Sequence, residues 1–212
     1  MKIKILAADQ AELEYIDLAK LTPCEASTAE TGIGFASAAI GAYKALSQDD
    51  IDLAVFVGSC GAARPDVSLL SIVNASFVSL GDLSLAKGES YLPEQVNQLY
   101  HSDDKQSGLI QKNIEGEVHN AGIYCPLSIS KSSEIAESIV HSTEAYFENL
   151  ELFSVAEAAV ELGVPWVCIS CVTNYVGANA HEEWKENREA AARRTAEVIE
   201  EIFSPGRLPL PD

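Results

Sequence analysis

Residues 3–8, 51–57 and 165–173 carry apolar side chains at odd and even positions alike. A strand buried on both faces has that pattern. Residues 69–80 and 121–127 add two further strand-like runs, the first with Val73, Phe77 and Val78. Helical patterns lie between them. Residues 11–21 place Leu13, Ile16, Leu18, Ala19 and Leu21 at the spacing of an amphipathic helix. Residues 35–46 are alanine-rich, 133–141 read as a short helix, and 152–163 as a helix stopped by Gly163. The longest, 181–203, sets Trp184, Ala191, Thr195, Val198 and Ile202 along one face. The polar stretch 81–106, with Gly88 and Pro93, reads as a long loop. Strands alternating with helices predict an α/β fold with its sheet covered on both sides. We expect one domain over 1–203 and a Pro-rich tail over 204–212, where Pro205, Pro209 and Pro211 cannot continue the helix. Ligands in such folds bind beyond the carboxyl ends of strands, which points to the segments after Ala8, Val57 and Thr173.

Composition narrows the partners. The chain has 212 residues, 32 acidic against 14 basic, and a formal charge of −18. That length suits one self-sufficient core. That charge argues against nucleic-acid backbones and anionic membrane surfaces. No stretch reaches the ~18–20 apolar residues of a membrane span, and the apolar run near Met1 is too short for a signal segment. The five cysteines are odd in number and read as reduced thiols in a cytoplasmic protein. Cys168 and Cys171 match C-x-x-C, yet their spacing on a strand points them to opposite faces, as buried small hydrophobes. The four histidines, His101, His119, His141 and His181, have no metal-ligand spacing, so no metal is expected.

Several segments carry candidate chemistry beside a plainer reading. Gly32-Ile33-Gly34-Phe35-Ala36-Ser37 is a partial dinucleotide fingerprint, with Asp52 as a ribose acid. Ser37 replaces its third glycine, and residues 24–31 do not read as the required buried strand, so a tight turn before a helix is preferred. Gly58-Ser59-Cys60-Gly61-Ala62 ends a hydrophobic strand, where glycines let backbone amides approach a ligand or simply make a turn. It lacks the spacing of a nucleophile elbow. Glu12 and Glu151 each sit near the start of a predicted helix, where a carboxylate often only offsets the helix dipole. Asn174 directly follows an apolar strand, a common turn position.

In order along the chain, KIKILAADQAELE, TGIGFASAAIGAYKAL, VFVGSCGAARPDVSLLSIV and the pair Asn149-Leu150-Glu151 with CVTNYVGANAHEEW resemble the nucleoside phosphorylase and nucleosidase superfamily. The 23-residue spacing from Glu151 to Asn174 also matches the nucleosidases. The resemblance implies a mixed twisted sheet flanked by helices, a purine nucleoside as ligand and a homo-oligomer, dimer or higher. It puts Glu12 on the catalytic glutamate and Glu151 on the ribose-binding glutamate, preceded here by Leu150 in place of methionine. Ser59, Cys60 and Gly61 fall on the loop that lines sugar and base. Leu152 and Phe153 replace the family's small residues.

Within that superfamily, phosphorylases hold phosphate with arginine forks. Here Phe56 stands where the hexameric phosphorylases have arginine, and Arg64 lies off the usual position. A carboxylate at Glu12 repels phosphate but can orient and deprotonate water. The resemblance therefore implies hydrolysis of an N-glycosidic bond, a reaction that needs neither a metal nor an organic cofactor. Asn174 stands where methylthioadenosine/adenosylhomocysteine nucleosidases have aspartate. An amide both donates and accepts, which suits N7 and O6 of a 6-oxopurine. Asn174–Gly177 and Trp184 resemble the futalosine hydrolases, which release hypoxanthine from a menaquinone precursor, although their arginine shortly after the asparagine is missing. Methylthioadenosine/adenosylhomocysteine hydrolysis, purine nucleoside phosphorolysis and a nucleoside-binding protein without turnover remain the alternatives.

Overall fold

The computed structural model describes residues 1–204. All but the first residue of the expected Pro-rich tail lies outside the described residues. In chain order the elements are β1 (Lys2–Ala7), β2 (Glu25–Glu30), α1 (Phe35–Leu46), β3 (Leu53–Ala62), β4 (Ile72–Leu80), α2 (Leu83–Ala86) and β5 (Leu99–His101). They continue as α3 (Asp104–Asn113), β6 (Val118–Cys125), α4 (Ser133–Thr143), β7 (Ala145–Glu148), α5 (Leu152–Glu161), β8 (Trp166–Tyr175) and α6 (Ala180–Phe203). The strands form one eight-stranded mixed sheet in the order β2-β1-β3-β7-β6-β4-β5, with β8 paired to both β3 and β4. The pairings β3–β8–β4–β6–β7–β3 thus close a ring of five strands. The expected α/β class, with helices on both faces of a mixed sheet, is what the chain adopts.

Alternation along β3 explains the two layers. Ala54 and Phe56 join the core that holds α1 and α5 through Ala38, Ala42, Leu152 and Phe153. Leu53, Val55 and Val57 point the other way, into the core under α6 with Val198, Ile199 and Ile202. Cys168 and Cys171 divide between the same two cores, and all five thiols are free. No metal-holding group of three or more His, Cys, Asp or Glu occurs among the described residues. Likewise, no described helix is long and apolar enough to cross a membrane.

Four local expectations need correction. Residues 11–21 are not an α-helix but two 3₁₀ turns, Gln10–Glu12 and Leu18–Lys20. Asp9 accepts from the amides of Ala11 and Glu12, and Asp17 from that of Ala19, so each aspartate caps a single turn. Residues 25–30 are a strand at the sheet edge, its residues half-exposed or exposed, which their small polar sequence conceals. The long loop 81–106 contains α2 and β5, and α3 begins inside it. The four-residue strand β7 has no sequence signature of its own.

Gly41 sits inside α1 because Thr31 crosses it. A Cβ at Gly41 would lie 2.0 Å from the Thr31 carbonyl oxygen. Gly41→Ala should therefore push α1 away from the strand and cost about 2–3 kcal/mol despite alanine's better helix propensity. Urea unfolding measures this, and a stability equal to wild type would contradict the close approach.

Candidate active site

β1, β3 and β8 run parallel, so their carboxyl ends meet at one edge of the sheet. There they border a cavity of about 270 Å³. Ser59, Cys60, Gly61, Leu150, Glu151, Glu12 and Asn174, the residues singled out in the sequence, all line it. Far apart in the chain, they are gathered by the sheet register.

Glu12 reaches this edge through the first 3₁₀ turn. Its Oε2 accepts from the Ala8 amide at 3.2 Å. Its Oε1 accepts from the Ser59 amide at 3.0 Å and faces the Ser59 hydroxyl at 3.4 Å. Gly58 makes the fit possible, since a Cβ there would meet Oε1 at 3.2 Å. Burial raises the Glu12 carboxyl from 4.5 to about 7. The Ser59 amide opposes this, the nearby charges of Asp9 and Glu151 add to it, and the Ala8 amide again opposes it. The result is a proton acceptor matched to neutral pH.

Glu151 lies at the start of α5 and is buried. Its Oε1 accepts from the Gly34 amide at 2.9 Å, in the glycine turn before α1. Gly34 has φ +84°, a backbone region that suits glycine. That turn therefore serves the cavity directly and is not a dinucleotide loop; Asp52 instead accepts from the Lys2 amide. Asn149 joins the parts. Its Oδ1 accepts from the amides of Glu151 and Leu152, and its Nδ2 donates to the Ser59 carbonyl. Burial raises the Glu151 carboxyl above its ordinary value, opposed by the Gly34 and Leu150 amides.

Asn174 owes its position to a bulge. The β3–β8 register runs Cys60↔Val172 and then Gly61↔Asn174, so Thr173 is the extra residue. The Thr173 hydroxyl donates to Asn174 Oδ1 at 2.8 Å and orients the amide. A Cβ at Gly61 would fall 2.8 Å from Asn174 Nδ2, so this glycine is required by the close approach.

Several further residues line the cavity, of which the sequence motifs carried Trp184 and Ile33 without assigning either a place in the site. Trp184 on α6 donates from Nε1 to the Ser59 hydroxyl at 3.3 Å and stacks on His181 at 5.7 Å between centroids. Ile33 and Ile129 border the cavity and are largely exposed. Glu148, at the end of β7, also lines the cavity. A second cavity of about 190 Å³ adjoins the first and shares Asp9, Glu12, Ser59 and Trp184 with it. Arg188, whose guanidinium lies 5.1 Å from the Trp184 ring centre, opens onto this second space.

The model of the phosphorylase superfamily matches residues 18–204. The chain belongs to that superfamily. Its fold is shared with a mutant futalosine hydrolase of Helicobacter pylori, at a TM-score of 0.84 and 17% identity over 95% of this chain and 98% of that one. A 5′-methylthioadenosine/S-adenosylhomocysteine nucleosidase from Streptococcus pneumoniae, with a transition-state inhibitor, gives 0.85 and 22% over 96% and 98%. The corresponding nucleosidase from Neisseria meningitidis, in complex with methylthio-immucillin-A, gives 0.84 and 18% over 95% and 97%. At such identities the likeness establishes the superfamily fold; the choice of reaction rests on the side chains.

Proposed function

We propose that the protein hydrolyses the N-glycosidic bond of a 6-oxopurine nucleoside, in the manner of a futalosine hydrolase. The observation that carries this reading is the Glu12 carboxyl. It is held by two backbone amides, raised to about 7, and shares one cavity with Glu151 and Asn174. As a carboxylate it takes a proton from water, whose oxygen bonds to C1′ as the bond from C1′ to N9 breaks. The bond's electron pair leaves with the base. Positive charge builds on the sugar in an oxocarbenium-like transition state, which the carboxylates of Glu12 and Glu151 stabilise. Glu151 accepts from the ribose hydroxyls. Asn174 meets N7 and O6 of the departing base, while Ser59, Cys60, Gly61 and Leu150 line the sugar and base.

Water is favoured over phosphate by what stands in place of the arginines. Phe56 is buried in the core, and Arg64 is exposed and paired with Asp66. An anion entering between Glu12 and Glu151 would face two carboxylates. The methylthioadenosine/adenosylhomocysteine reading draws on the two structural neighbours of that activity, but the amide at Asn174 suits a 6-oxo group better than a 6-amino group. A homo-oligomer would cover the exposed Ile33 and Ile129 at the cavity rim, and five unpaired thiols suit a reducing cytoplasm.

The test is chromatography of futalosine, inosine and methylthioadenosine incubated with the protein, with and without phosphate. Hypoxanthine released equally under both conditions is the expected result. Adenine release from methylthioadenosine alone selects the second reading. Base release that needs phosphate, or intact nucleosides throughout, overturns the proposal. Asn174→Asp is expected to move preference from inosine towards adenosine by roughly 10-fold or more, because the carboxyl has no N–H to offer O6. The Thr173 hydroxyl can donate to either side chain, so the geometry should survive. An unchanged ratio of kcat/KM values for the two nucleosides would remove Asn174 from base recognition.

A further inference from the structure

Gly61 has a pairing partner on each side. On one it aligns with Asn174 of β8, on the other with Glu148 of β7. Residues aligned across neighbouring strands point to the same face of a sheet. Asn174 and Glu148 thus flank a strand position that has no side chain, two strand spacings or roughly 10 Å apart at the backbone. All three residues line the same cavity. A planar ring lying over Gly61 would present one edge to Asn174 and another to Glu148.

Glu148 is 7% exposed, and its two oxygens differ. Oε1 accepts from the Ser130 amide at 3.1 Å. Oε2 is buried without a hydrogen-bond partner among the described residues. A buried carboxylate oxygen lacking a donor is costly, and a ligand N–H would relieve that cost. We propose that Glu148 reads the base, with Oε2 accepting the N1–H of a 6-oxopurine whose N7 and O6 face Asn174. Adenine presents a lone pair at N1, so the same carboxylate repels it. Two groups thereby enforce one choice, Asn174 from the O6 side and Glu148 from the N1 side. Burial raises the Glu148 carboxyl above its ordinary value, and the Ser130 hydroxyl, the Ser130 amide and the Tyr124 hydroxyl hold it down. The competing role for Glu148 is purely structural, as the charged neighbour of the buried Tyr124 hydroxyl, which lies close to it without completing a well-formed hydrogen bond.

The assignment deepens the nucleosidase reading, and the experiment separates the two. Calorimetry measures hypoxanthine and adenine binding to the wild-type chain and to Glu148→Gln, beside kcat/KM for inosine and adenosine and the thermal midpoint. Wild type should prefer hypoxanthine. In Glu148→Gln hypoxanthine affinity and inosine kcat/KM should fall by about 10–100-fold, while the adenine figures hold or rise. A lower thermal midpoint with the base preference unchanged assigns Glu148 to Tyr124 and overturns the proposal. Should the variant not fold, wild type is given 1-methylinosine, which lacks the N1 hydrogen. Loss of at least 10-fold against inosine supports the proposal, and equal turnover overturns it. Hypoxanthine binding with no base released from any nucleoside overturns the hydrolase reading and leaves Glu148 standing. Adenine preferred by wild type overturns the role of Glu148 together with the choice of a 6-oxopurine and leaves only hydrolysis standing, and binding of neither base overturns both.

Discussion

Glu12→Gln is expected to bind nucleoside nearly as wild type does and to lose ~10²–10⁴-fold in turnover. Glutamine preserves the shape, although its one carbonyl oxygen can accept from only one of the Ser59 and Ala8 amides, which Glu12 meets with separate oxygens. It cannot take a proton from water, nor can its neutral amide offset positive charge on the sugar. Single-turnover kinetics with inosine, beside a binding isotherm for hypoxanthine, separates the chemical loss from any loss of affinity. Turnover within a few-fold of wild type would remove Glu12 as the base. The wild-type pH profile offers a second check. The free carboxyl titrates at about 7, so kcat/KM should rise with pH to a plateau above that midpoint and fall about tenfold per unit below it. A profile flat from about pH 5 to about pH 8 would contradict this assignment.

The same shift predicts a stability effect of defined sign. Glu12 holds its proton more tightly folded, at about 7, than unfolded, at 4.5. Its contribution to stability is fully present below pH 4.5 and is lost as pH rises through 7. The difference corresponds to about 3 kcal/mol. Glu12→Gln should therefore melt above wild type near pH 8 and close to it near pH 4. Stability sacrificed at neutral pH to keep a desolvated carboxylate is what a proton acceptor in a cavity entails.

The elements that were legible in the sequence are those whose side chains all face a core. β1, β3 and β8 show as apolar runs because they lie inside the sheet with both faces covered. β2 was concealed because it pairs on one side only and exposes small polar residues, and β7 because four residues carry no periodicity. The stretch 11–21 has helical spacing yet turns twice, because Asp9 and Asp17 satisfy its amides locally. At the site, Glu12, Ser59, Glu151 and Asn174 were legible through short motifs that sit at strand ends. Glu148 and Trp184 were not assigned to it from those motifs, since their places depend on the β3–β7 register and on where α6 crosses Ser59. Asn149 stood inside a motif, but its bridging of the Ser59 loop to α5 is a fact of tertiary structure.

Glu151→Gln should lower kcat/KM for inosine by ~10²–10³-fold through the sugar, with the base preference kept. Glu151 Oε1 is occupied by the Gly34 amide, which fixes the carboxyl against the glycine turn. In the proposed mechanism the other oxygen accepts from the ribose hydroxyls, whose bonds to a charged partner strengthen as the ring becomes cationic. Glutamine would keep one acceptor but set an N–H against either Gly34 or the sugar, and so lose both the charge and one bond. The cleanest measurement compares inosine with 2′,3′-dideoxyinosine in wild type and variant. Wild type should discriminate strongly between them, and Glu151→Gln should discriminate far less, because the substrate groups and the carboxylate act as one unit. Dideoxyinosine chemistry is intrinsically faster without the electron-withdrawing hydroxyls, so only the ratio of ratios is informative. If both proteins lose the same factor on removal of the hydroxyls, Glu151 does not hold them, and its burial beside Asn149 would reflect the α5 cap alone.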